Sequence, residues 1–174
     1  MNSMSTFRLA LALVFAQILG ASVASADAIT RKETVYIGMT GNAMMRILSR
    51  AGYKPSLSAD NYGDPTIHFP VKVDSSVTGI VVFYGCDDNS DPLAKLCTSI
   101  QYSAEFGDAK GPISTEDLDT FNADNRFMKV YFDEDTMMAR YDVNLDGGVT
   151  EANMLDDLDT WETLLGELRA STGL

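Results

Sequence analysis

Hydrophobic and polar residues alternate along several short segments of this chain, the pattern of strands with one buried face. The segments predicted as strands are residues 54–62, 66–73, 80–84, 99–106, 126–132 and 136–145. The third is continuously apolar, which is typical of a central strand, whereas the first is weakly patterned and predicts a poor edge strand. Pro70 cannot donate a backbone hydrogen bond, so it indicates an edge or a bulge in the second segment.

Three other segments carry apolar residues at three- and four-residue spacing, which predicts helices. The first covers residues 41–51 and ends at Gly52. The second begins after Ser114, whose hydroxyl and following acids are typical of a helix N-terminus. The third follows Thr150, and its apolar stripe includes Trp161 and continues to residue 170. Together the patterns predict an α+β fold, a mostly antiparallel sheet of about five to six strands flanked by N-terminal, middle and long C-terminal helices.

The first 26 residues have the parts of a secretory signal peptide. Arg8 precedes an apolar run of about a dozen residues, and the segment ends in Ala24-Ser25-Ala26. A retained membrane anchor is the alternative, but the run is shorter than the roughly 20 residues of a spanning helix. We therefore expect cleavage after Ala26 and a periplasmic or secreted protein of 148 residues (174 minus 26). Residues 27–38 are predicted to be poorly ordered, and residues 39–170 to form one domain.

The acidic composition narrows the classes of partner. The net charge is −12, and it becomes −13 after removal of a leader with one arginine and no acid (12 basic against 25 acidic residues). Such a surface repels phosphate backbones and anionic lipids, so neither nucleic-acid binding nor stable membrane insertion of the cleaved protein is expected. Solubility of an exported protein explains the charge; a basic partner or a cation remains an alternative.

The two cysteines, Cys86 and Cys97, stand at the inner ends of two predicted strands. An even count in an exported chain favours a disulfide. A metal site is the alternative, but it needs two more ligands and the chain has a single histidine, His68. A redox-active pair needs closer spacing than ten intervening residues. No cofactor and no catalytic residue is predicted.

Residues 142–150 are similar to the first nine positions of a calcium-binding EF-hand loop. Asp142, Asn144 and Asp146 occupy the first, third and fifth positions, and a glycine follows at the sixth. The twelfth position is Asn153, where the loop needs a bidentate glutamate, and a strand pattern precedes it instead of a helix. Calcium binding is therefore kept only as an alternative.

Several motifs resemble the YbjN family over about residues 39–168. They are the hairpin of residues 80–106 with both cysteines, Leu118-Asp-Thr-Phe-Asn122 before Arg126-Phe127, Val130-Tyr-Phe-Asp133, and the turn of residues 142–150. The resemblance implies a fold similar to type III secretion chaperones and a link from strand to final helix at residues 142–150. It also implies a loose label as sensory-transduction regulators, with no agreed activity or catalytic residues.

These observations favour an exported, non-enzymatic protein-binding or chaperone-like regulatory module. The expected partner is another protein or peptide, or a second copy of the chain, bound at an exposed apolar strip on a helix or sheet edge. Two alternatives are a periplasmic calcium-binding module and an unrecognised hydrolase that uses a pair of carboxylates.

Overall fold

The computed structural model describes residues 33–107, 109 and 111–174, so the predicted signal peptide lies outside the described residues. Its elements in chain order are β1 (Val35–Tyr36), α1 (Gly41–Arg50), β2 (Ser56–Ala59), β3 (Pro65–Pro70), β4 (Thr78–Cys86), β5 (Cys97–Phe106), α2 (Thr115–Asp124), β6 (Met128–Asp133), β7 (Thr136–Asn144), β8 (Val149–Thr150) and α3 (Glu151–Thr172). The three helices and the strands of the predicted α+β fold are confirmed.

The main sheet has six antiparallel strands in the order β2-β3-β4-β5-β7-β6. The continuously apolar β4 is central, and the weakly patterned β2 is an edge strand, as the sequence predicts. Pro70 does not mark an edge strand, because β3 lies between β2 and β4, but Pro70 itself lies beyond His68, the last β3 residue that pairs with β2. Pro70 is tolerated there because it is the last residue of its strand, where the loss of one donor interrupts no further pairing.

A second, two-stranded sheet joins the beginning of the described chain to the start of α3. Val35 pairs with Thr150 and Tyr36 with Val149. Met39 then forms an isolated bridge with Cys97, with backbone hydrogen bonds of 2.8 and 2.9 Å in the two directions. The chain before α1 is thus attached to both the β8 strand and the end of the main sheet.

All three helices contribute apolar side chains to one core that they share with the main sheet. Their apolar sides and the inward side chains of the strands make a single buried core, with Trp161 of α3 fully buried. Its ring centroid lies 5.9 Å from that of Tyr102 in β5 and 6.2 Å from that of Phe69 in β3. The Tyr102 hydroxyl donates to the Met154 carbonyl (2.9 Å), which adds a polar contact between β5 and α3.

The opposite face of the sheet carries residues that the alternation predicts to be solvated, but two of them are nearly buried. Gln101 and Ser103 of β5 are only 7% and 2% exposed. The Gln101 side chain donates to Asp142 Oδ1 (2.7 Å) and accepts from the Tyr84 hydroxyl (3.3 Å). Neighbouring strands on both sides therefore cover and satisfy Gln101 at the centre of the sheet.

Candidate functional site

Helix α2 ends in a short turn that leads directly into edge strand β6. The backbone N–H and side-chain amide of Asn125 both donate to the Phe121 carbonyl (3.0 Å each) and close the last turn of the helix. Met128 N–H donates back to the Arg126 carbonyl (2.9 Å), a bond that spans a single residue. Phe127 is that residue, so the reversal of the chain depends on its conformation.

Phe127 adopts a backbone conformation that bulky residues rarely adopt. Its φ is 73°, and the only other non-glycine residue with a positive φ in the described part of the chain is Glu134. A left-handed conformation at a bulky residue costs about 1–3 kcal/mol. Burial of the side chain does not offset this strain energy, because 61% of the surface of Phe127 is exposed. A strained and exposed aromatic residue is therefore a candidate for function.

Two neighbouring residues fix the position of the Phe127 ring. Its centroid lies 6.2 Å from that of Tyr141 in β7, and the Arg126 guanidinium lies over the ring at 4.6 Å. The Tyr141 hydroxyl in turn donates to Asp157 of α3 (2.8 Å). Burial and this acidic partner raise the pKa of Tyr141 to about 12, so its hydroxyl is a constant donor at neutral pH.

The ring of Phe127 lines a crevice of about 370 Å³ between the end of α2 and the middle of α3. The lining residues are Asp124, Asn125, Arg126 and Phe127 on one side and Asp159, Thr160, Thr163 and Leu164 on the other. Phe127 and Leu164 supply apolar surface, while two aspartates and one arginine supply charge. An apolar patch rimmed by acids suits a ligand that has both an apolar and a basic group.

The predicted cysteine pair is brought together at the end of the central hairpin. Cys86 and Cys97 are paired across β4 and β5, and their sulfur atoms lie at disulfide distance, 2.12 Å apart. The acidic connector between them folds as successive turns closed by its own side chains. Asp87, Asn89 and Asp91 each accept a hydrogen bond from the backbone N–H two residues later (3.0–3.2 Å).

The residues of the possible calcium loop are used in other contacts. Asp142 is a β7 residue whose Oδ1 accepts from Gln101, and Asn144 Oδ1 accepts from Asp146 N–H (3.0 Å). Asn153 belongs to the first turn of α3, where its side chain accepts from the Thr150 hydroxyl (2.6 Å). Within residues 33–107, 109 and 111–174, no group of three or more histidine, cysteine, aspartate or glutamate side chains could hold a metal ion.

One buried acid is not predicted by the sequence pattern. Glu162 of α3 is only 3% exposed, and both of its carboxylate oxygens accept from the backbone N–H of Lys72 (3.1 Å each). Burial, followed by its interaction with Glu162, raises the pKa of Tyr53 well above its usual range. The carboxylate thus ties α3 to the segment that follows β3, which is a structural role.

Comparison with known proteins places the chain in a family. A family model described as "Putative bacterial sensory transduction regulator" matches residues 41–171, which is more than half of the chain. The chain belongs to the YbjN family. A solved structure titled "Crystal structure of YbjN, a putative transcription regulator from E. coli" is similar to it, with a TM-score of 0.55 and 15% identity over 79% of this chain and 95% of that one. No curated protein matches the chain.

The match covers the whole six-stranded sheet and all three helices except the last residue of α3, and it includes Phe127 and both cysteines. The solved YbjN structure supports the fold that the motifs of the sequence predict. Among the described residues, no helix is both long and apolar enough to cross a membrane.

Proposed function

We propose that this member of the YbjN family is an exported, non-enzymatic module that binds a segment of another protein in the crevice beside Phe127. The observation that supports this most is Phe127 itself, whose strained backbone presents an aromatic ring to solvent instead of to the core. The family description as a regulator agrees with a role in binding another protein.

The crevice indicates the chemistry of the bound segment. An apolar side chain would pack between Phe127 and Leu164, and a lysine or arginine would lie close to Asp124 and Asp159. The net charge of −12 favours approach of a basic partner over long distances. Burying the exposed part of one phenylalanine ring, on the order of 100 Å², is worth about 2–3 kcal/mol before the costs of association.

Site-specific photocrosslinking in cells tests the proposed site even when the identity of the partner is unknown. A photoreactive phenylalanine analogue at position 127 should give a covalent adduct with one protein, identified by mass spectrometry. The control position is Tyr62, which is more exposed (87%) but lies in the turn between β2 and β3. An adduct pattern that is the same at both positions, or no adduct at position 127, would contradict the proposed binding site.

Export is a separate part of the proposal and has its own test. The signal-like segment before Asp27 and the cysteine pair at disulfide distance both support an oxidising compartment. The intact mass of the protein from its native cells should correspond to a chain that starts at Asp27 and lacks two hydrogens. An intact leader together with free thiols would contradict export.

A further inference from the structure

The outer edge of β6 is already bonded to a side-chain amide. Because β6 is the last strand of the six-stranded sheet, no strand of the described part of the chain pairs with its outer edge. Asn122 of α2 bonds it twice: its amide nitrogen donates to the Val130 carbonyl (2.8 Å), and its Oδ1 accepts from Val130 N–H (2.9 Å). An added antiparallel strand would bond the same two atoms of Val130 with its own peptide groups. The Asn122 carboxamide thus imitates the backbone of a seventh strand.

The same edge continues into a groove beyond Asn122. Backbone groups of alternate residues point to the same side of a strand, so those of Phe132 point outward like those of Val130. A groove of about 380 Å³ separates this part of β6 from the first half of α2. Its lining residues are Thr115, Leu118 and Asp119 on the helix side and Val130, Tyr131, Phe132 and Glu134 on the strand side. The helix and the edge strand therefore diverge from Asn122 toward Phe132.

We propose that this groove accepts an extended segment of the partner protein as an added antiparallel strand, and that Asn122 is a placeholder which the segment displaces. This inference rests on the proposed protein-binding function and specifies how the partner is held. The occupant would be an extended polypeptide with alternating apolar and basic side chains. Its apolar residues would contact the partly exposed Phe132, and its basic residues would face Asp119 and the acidic surface around α2.

If Asn122 is a placeholder, replacing it should strengthen the binding of a peptide instead of weakening it. In the unmodified protein, the incoming strand must first break the two hydrogen bonds between Asn122 and Val130. Its own two bonds to Val130 only replace them, so the number of hydrogen bonds at Val130 does not increase. Asn122→Ala removes the competing amide and leaves the Val130 groups available. The variant should therefore bind an extended peptide more tightly than the unmodified protein, by about three- to tenfold.

The test uses peptides selected from a displayed library of random ten-residue segments against the mature, disulfide-bonded protein. An enriched peptide is then synthesised in two N-methylated forms, each with methyl groups on one set of alternate residues. Strand addition predicts that one form binds at least tenfold more weakly and that the other binds normally, because only one edge of the peptide bonds to β6. It also predicts tighter binding by Asn122→Ala and unchanged binding by the control Asn42→Ala, an exposed asparagine on α1.

The outcomes separate this inference from the proposed function. Peptides that bind equally in both N-methylated forms, or bind no more tightly to Asn122→Ala, would overturn strand addition while leaving a protein-binding role in place. Failure to enrich any peptide would overturn both. If Asn122→Ala does not fold, Asn122→Leu provides the same test, because a side chain of similar size without donor or acceptor can bond neither atom of Val130.

Discussion

Substitution of Phe127 by alanine and by glycine tests whether its backbone is strained. Both variants lose the aromatic ring and its contacts with Tyr141 and Arg126, so their difference in stability isolates the backbone conformation. At an ordinary position, a variant with glycine is less stable than one with alanine, because glycine gives the unfolded chain more conformational entropy, which is lost on folding. At a residue with φ of 73°, the order should reverse.

The size of the reversal follows from two opposing contributions. Holding alanine in the left-handed region costs about 1–2 kcal/mol, whereas glycine adopts it without steric cost. Against this, glycine carries an entropic cost of about 0.5–1 kcal/mol relative to alanine. The difference between the two contributions predicts that Phe127→Gly is more stable than Phe127→Ala by about 1 kcal/mol, within extremes of about 0 and 1.5 kcal/mol.

Urea unfolding followed by fluorescence or circular dichroism measures both variants, with the free energy of unfolding extrapolated to water. The control is Ala123→Gly in the last turn of α2, which should lower the free energy of unfolding by up to about 1 kcal/mol. If Phe127→Ala is as stable as Phe127→Gly or more so, then Phe127 is not strained, and the main reason for assigning it a function is removed.

Three further predictions concern other parts of the molecule. Replacing Cys86 and Cys97 by serine should lower the free energy of unfolding by about 3 kcal/mol, the entropic value of closing a loop of this length, as measured in urea. Millimolar calcium should leave the melting temperature unchanged, because Asp142 is already bonded within the sheet; a calcium-dependent rise that Asp142→Ala abolishes would contradict this. The Ser114 side chain and backbone N–H lower the pKa of Asp117, so the stability that Asp117 contributes is present above its ordinary pKa and is lost as the pH falls through the lowered value. The difference in stability between the unmodified protein and Asp117→Asn should therefore shrink in acid.

Most of the fold can be predicted from the sequence because the core follows simple periodicities. The inward residues of β5 alternate with outward ones, and α3 carries a continuous apolar stripe that includes Trp161. Burial of Gln101 and Ser103 cannot be predicted in this way. It depends on the strands that lie on either side of β5, and a single strand's pattern holds no information about strand order.

The candidate site is harder to predict than the fold. The sequence predicts an exposed apolar strip, but the left-handed conformation of Phe127 depends on where α2 ends and β6 begins in space. Glu162 follows directly after Trp161 in the apolar stripe, and only the position of Lys72 explains its burial. The bonds from Asn122 to β6 likewise join residues whose pairing follows from tertiary structure. Phe127 and Asn122 depart from the local pattern without a role in the core, which is where functional residues are expected.

The proposed function depends most on one contact, in which the ring of Phe127 binds the partner protein. The most direct test is isothermal titration calorimetry of the mature protein with the partner identified by crosslinking, and with its Phe127→Ala and Tyr62→Ala variants. Phe127→Ala should weaken binding by at least tenfold, since a loss of about 1.4 kcal/mol suffices for that change, and Tyr62→Ala should bind like the unmodified protein. Equal affinities for all three proteins would contradict the claim.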